Sequence, residues 1–209
     1  MSNKTAVERS VTSLQTIYAI IIALSMGQAI QTLFEAAPGG PLKLSSDVFT
    51  YIPAFITFIS LLVPFYHGMN RHLDMCYIEK STDVVKGALL FDFVIFFVEA
   101  ALLFAFSASL NVGLKSFIIL GILLSVDSAW ALISHWIHYR QFSPSIIRWT
   151  IINSSTIVLG FVIYKTQLFA DESKPTLLVI LAVLRTVADY WACWDFYFPE
   201  TGAKPQGNA

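Results

Sequence analysis

Charge is what this sequence has least of. Only 13% of its residues are charged, where a soluble domain carries about 25%. So little polar surface cannot clothe a water-facing exterior, and no water-soluble domain is expected. Catalytic signatures are missing as well. There is no Gly-rich phosphate loop, no paired CxxC, no HExxH and no nucleophile elbow. The chain therefore reads as a non-enzyme without a cofactor. Its basic residues are dispersed, which leaves no footprint for nucleic acid. Cysteine is scarce, and Cys76 and Cys193 are expected as free thiols in a reducing compartment. No internal repeat and no low-complexity tract occur.

What remains is apolar. Hydrophobic residues make up 56% of the chain, and mean hydropathy is +0.67. Val11–Phe34 runs for 24 residues without a charge, and Val48–Tyr66 for 19. A membrane-spanning helix needs roughly 20 apolar residues. Four more such stretches follow at Lys86–Leu110, Phe117–Ile137, Ile146–Tyr164 and Pro175–Phe198. Turn-formers separate them: Pro38-Gly39-Gly40-Pro41, Asn111-Val112-Gly113, Ser143-Pro144 and Asp171–Pro175. The first run exceeds a signal-peptide core and no small-residue cleavage pattern follows it, so it reads as a retained helix. The expected fold class is all-α, a polytopic membrane protein of six transmembrane helices. Residues 1–200 form its single domain and 201–209 a disordered tail.

Lys and Arg set the expected orientation. The N-terminal side holds Lys4, Arg9, Arg71, Lys80, Lys86, Arg140, Arg148 and Lys204, against Lys43, Lys115, Lys165 and Lys174 on the other. Eight against four places both termini in the cytoplasm, and a bacterial inner membrane is the expected location. Trp130, Trp136, Trp149, Trp191 and Trp194 all map toward the N-terminal side, as an interfacial belt would.

Five charges fall inside spans. Asp92 and Glu99 are seven residues apart on helix 3 and share a face, Asp127 is central in helix 4, and Arg185 and Asp189 are spaced to pair on helix 6. A charge in hydrocarbon costs about 2.5–3.5 kcal/mol or more, so such residues face the bundle interior or water. They form either an ion or proton pathway or a structural clamp, such as Arg185 bridging to Asp127 or Glu99. His67, His72, His135 and His138 lie near the N-terminal side with Asp74, Cys76 and Cys193. They are open to two readings, a metal or haem site and ordinary interfacial histidines; no metal is assigned.

Helix 1 carries a pattern. At 100° per residue Ser13, Thr16, Ile20, Leu24, Gly27 and Gln31 share one stripe, polar at its ends and bulky in the middle. Thr12, Gln15, Gln28 and Thr32 lie nearby. The stripe suits a pore wall with a hydrophobic constriction, and equally a helix-packing surface.

Arg9, followed after three residues by Ser13-Leu14-Gln15 and then by Ile17-Tyr18-Ala19-Ile20, resembles the first helix of the lysosomal potassium channel family, transmembrane protein 175, and its bacterial relatives. That family has Phe-Ser-Asp where this chain has Ser13-Leu14-Gln15. Asn70-Arg71-His72 after an aromatic-rich helix 2, and Leu89-Leu90-Phe91-Asp92 in helix 3, extend the likeness over the first half of the chain. The resemblance implies a homotetrameric cation channel, conducting potassium or protons, with helix 1 around a central pore. Ser13 and Thr16 would form the cytoplasmic mouth, Ile20, Ala23 and Leu24 the gate, and Gly27, Gln28, Gln31 and Glu35 the opposite mouth. Arg9, Asn70, His72 and Asp92 would form a network behind helix 1. The alternatives are a redox or metal protein using the histidine–cysteine cluster, a proton-coupled transporter using Asp92, Glu99, Asp127 and Arg185, and a non-conducting assembly or signalling subunit.

Overall fold

Apolar runs of spanning length have no way to satisfy their backbone in lipid except as helices, and helices are what form. The structure, a computed structural model, describes residues 3–35, 48–79, 87–110, 114–140 and 143–199. The turn-formers 38–41 and 111–113, the tail 201–209, and Lys43, Lys80, Lys86 and Lys204 lie outside the described residues. The elements are α1 (Asn3–Glu35), α2 (Val48–Leu73), α3 (Ala88–Ala108), α4 (Leu114–Tyr139), α5 (Pro144–Lys165), α6 (Lys174–Ala192) and α7 (Trp194–Tyr197). A π-helical turn, Asp74–Glu79, continues α2. No strand occurs among the described residues, and α1 to α6 are long and apolar enough to cross a membrane.

Two boundaries differ from the apolar runs. α1 starts at Asn3 rather than Val11, because Lys4, Ala6, Glu8 and Arg9 are good helix formers that carry the helix beyond the hydrocarbon. α6 stops at Ala192 rather than Phe198: the chain bends at Cys193 and resumes as α7. The bend folds Tyr197 back under the bundle, where it is buried.

The helices close a ring. Going round it, the order is α1, α3, α4, α5, α6, α2 and back to α1. Inside, the two ends of the ring differ. Toward the C-terminal ends of α1, α3 and α5 the interior is mainly apolar, built on Leu61, Leu103, Leu123 and Leu124 with Phe58 against Phe106 at 5.8 Å between ring centres. Toward the end where α1 begins, polar links join the elements. Gln15 donates to Asp74 Oδ1 (3.0 Å), His72 meets Asp92 (2.9 Å), and Arg148 donates to the Ala192 carbonyl (3.4 Å). Outside, Ile151, Val158, Phe161 and Leu184 are exposed, as a lipid-facing surface requires.

Pro64 shows how the ring tolerates a helix breaker. Proline has no N–H, so the carbonyl four residues back loses its partner. That carbonyl is Ser60, and Thr186 Oγ1 of α6 donates to it at 2.6 Å. An unmet backbone group in a membrane is thereby turned into an α2–α6 tie.

Candidate functional site

A cavity of about 420 Å³ occupies the polar half of the ring. It reaches from Ser143, Ser145 and Asp195 at the end where α1 begins down to Glu99 and Asp127 in mid-span. With a rise of 1.5 Å per residue, Glu99 lies about 17 Å along α3 from its start. Arg185 and Asp189 face the same space from α6. Four of the five charges singled out in the spans thus meet at one cavity, and Asp92 is buried beside it.

The charges are wired in a definite order. Arg185 Nη1 lies 3.2 Å from Asp189 Oδ2, the pair expected from their spacing on α6. Its Nε and Nη2 both donate to Asn153 Oδ1, at 2.9 and 2.7 Å. Asn153 Nδ2 in turn donates to Asp127 Oδ2 at 3.2 Å. The clamp from Arg185 to Asp127 is therefore real but indirect, with an α5 amide between the two charges. The direct Arg185–Asp127 bridge does not form. Arg185 does not bridge to Glu99 either; its ion-pair partner is Asp189. Tyr197 O–H, brought back by α7, donates to the second partner, Asp189 Oδ2, at 3.1 Å.

Glu99 and Asp127 both face the inner end of the cavity, close to one another. Two buried carboxylates set close together repel when both are charged, so the arrangement favours one proton held between them. The Glu99 Oε1 atom and Arg185 Nη1 are buried without a hydrogen-bond partner. For Nη1 the ion pair with Asp189 lacks hydrogen-bond geometry. Asp189 Oδ1 is a third such atom of the cluster, and buried polar atoms of this kind are uncommon in folded proteins.

A second cluster sits above the first, nearer the end where α1 begins. Asp92 accepts from His72 Nε2 (2.9 Å), Tyr77 O–H (2.6 Å) and Trp130 Nε1 (2.8 Å), with Ser134 at 3.4 Å. The π turn makes this possible: its wider winding rotates Cys76 and Tyr77 inward. Trp130 is consequently buried at 7% exposure and does not belong to an interfacial belt. Trp149 also turns inward and lines the cavity, whereas Trp136, Trp191 and Trp194 are exposed.

Of the network expected behind α1, His72 and Asp92 come together and the other two do not join them. Asn70 donates to the Tyr66 carbonyl of its own helix (2.8 Å), and Arg9 is exposed, because α1 turns Val11, Leu14 and Tyr18 inward at that level. The stripe Ser13, Thr16, Ile20, Ala23, Leu24, Gly27 and Gln31 lies on the outer face of the ring, with Ile20 55% and Leu24 59% exposed. Apart from Gln15, which donates to Asp74, its polar neighbours bond locally. Thr12 and Thr16 donate to carbonyls one turn back, Gln28 to Thr32, and Gln31 to Glu35.

Both cysteines are free and buried. Burial, with Asp189 adding to it, pushes the Cys193 thiol up to about 12, so at neutral pH it is an unreactive thiol donating to the Ser145 carbonyl at 3.5 Å. Burial raises Tyr197 too, which keeps it the donor to Asp189.

Asn153, Tyr77, Trp130 and Tyr197 are site residues that their sequence positions do not announce. The one available signal is Asn153, an amide in the middle of an apolar span, where polar groups are costly without partners. No family model, no curated protein and no solved structure matches this chain.

Proposed function

We propose that the chain is a proton-coupled transporter of a small cation, and that the cavity is its binding site. The carrying observation is the charge balance around that cavity. Four acids line it, Glu99, Asp127 and Asp189 within and Asp195 at its outer end, against a single arginine, Arg185. Arg185 pairs with Asp189, leaving Glu99 and Asp127 as the acids of the cavity's inner end. Their shared proton is what an incoming cation would displace, and its return would release the cation. A cavity of about 420 Å³ falls at the lower end of the range for small-molecule sites. The mainly apolar half beyond it, with Phe58, Leu61 and Phe106, serves as the closed gate of a state open toward the end where α1 begins. By the Lys and Arg balance that end is cytoplasmic. The reading needs no covalent chemistry.

The test uses purified protein in liposomes with an imposed pH gradient, following uptake of potassium and of tetraethylammonium. Saturable uptake that collapses when the pH gradient is dissipated is expected. Uptake insensitive to the pH gradient would refute proton coupling.

A second reading, the homotetrameric potassium or proton channel, draws on the outward exposure of Ile20 and Leu24 along a continuous stripe. Four such faces meeting on an axis would make the hydrophobic gate. It predicts a tetramer in mild detergent and unitary currents in planar bilayers.

A further inference from the structure

The π turn gathers three side chains that the transport reading does not use. We propose that His72, Cys76 and His138 bind one divalent ion of the zinc class, tying the end of α2 to α4. Their ligand atoms all lie within 4.8 Å of one another. Zinc binds nitrogen at about 2.0–2.1 Å and sulfur at about 2.3 Å in a tetrahedron, which sets ligand atoms roughly 3.3–3.7 Å apart. Cys76 Sγ and His72 Nδ1 already stand at 3.7 Å. A small shift of His138, which is half-buried at the end of α4, completes three corners.

The surroundings are those a metal ligand needs. A histidine that binds metal through one nitrogen usually donates the other ring N–H to a carboxylate. His72 Nε2 meets Asp92 Oδ2 at 2.9 Å, which leaves Nδ1 on the Cys76 side. Asp92 is fixed in turn by Tyr77 and Trp130. Tyr77 O–H also stands 3.3 Å from His138 Nε2, so one tyrosine links the carboxylate to the second histidine. Charge closes as well: the Cys76 thiolate and the Asp92 carboxylate together offset a divalent ion, and binding releases the one thiol proton. Access comes from the cavity, which His72 lines. The set of one thiolate and two imidazoles suits zinc, and cobalt reports on it, while calcium and magnesium prefer oxygen.

Titrating the full-length protein in detergent with cobalt(II) tests this. One equivalent per chain is expected to bind, with a thiolate-to-cobalt charge-transfer band, and zinc is expected to displace it. The chain has two cysteines, so Cys193→Ser assigns the band without disturbing the site. The band is expected to persist in Cys193→Ser and to vanish in Cys76→Ser, and His138→Ala is expected to weaken cobalt binding by at least about tenfold. A Cys193→Ser protein that gives no thiolate band overturns the proposal, as does a band retained in Cys76→Ser or an affinity unchanged in His138→Ala.

Discussion

The interior of the ring and the outer face of α1 both carry polar residues at membrane depth, and they handle them in opposite ways. On α1 most polar groups near the stripe find partners within their own helix, as Gln28 does with Thr32 and Thr16 with the Thr12 carbonyl, while Gln15 reaches Asp74. A helix face so arranged is compatible with lipid and asks little of its neighbours. In the cavity the reverse holds. Arg185 depends on α5 for Asn153, Asp127 reaches Arg185 only through that amide, and Asp189 needs Tyr197 from beyond the end of α6. No single helix satisfies these groups, so the ring must be assembled before any of them is stable in the membrane. Polar residues that are self-sufficient are weak evidence of function, and polar residues that demand long-range partners are strong evidence.

The contrast gives an order of effects. Arg185→Met strands Asp189 and Asn153 in the interior and is expected to cost about 3–5 kcal/mol, read as loss of the thermal transition in detergent. Adding Asp189→Asn should recover part of it, and a single variant as stable as wild type would remove the clamp from the account. Thr186→Val frees the Ser60 carbonyl again and is expected to cost about 1–3 kcal/mol, provided the α2–α6 tie matters; no change would mean the carbonyl finds another donor. Stability should also fall modestly as pH rises from about 9 to about 12, because the Cys193 thiol ionises in the unfolded chain across that window and holds its proton in the folded one. Cys193→Ser should flatten that slope. The smallest effect belongs to the other region: Ile20→Ala on the outer face is expected to change stability by less than about 0.5 kcal/mol. A loss several times larger would mean that the α1 face is packed against another copy, as the channel reading requires.

Much of the fold was legible because spanning length is written directly into apolar runs such as Val11–Phe34. Helix ends were less so, since residues like Lys4 and Glu8 continue a helix after hydropathy has stopped reporting it. For the site, charges inside spans marked Glu99, Asp127, Arg185 and Asp189 without any structure. Their wiring was hidden because it depends on ring order: α5 separates α4 from α6, so the bridge from Arg185 to Asp127 must pass through Asn153. Trp130 read as a belt residue because its position along α4 fits one, and only the rotation of α4 shows that it faces Asp92. Tyr197 lay beyond reach for a similar reason, as nothing in Cys193-Trp194 announces a bend.

The measurement that bears most directly on the central claim compares Glu99→Gln with Ile20→Asn in liposomes carrying a pH gradient. Glutamine keeps the shape of Glu99 and removes its titratable proton, while Ile20→Asn alters only the outer face. The account predicts that Glu99→Gln abolishes proton-coupled cation uptake and that Ile20→Asn leaves it intact. Uptake unchanged in Glu99→Gln and increased in Ile20→Asn would contradict it and place the path on α1.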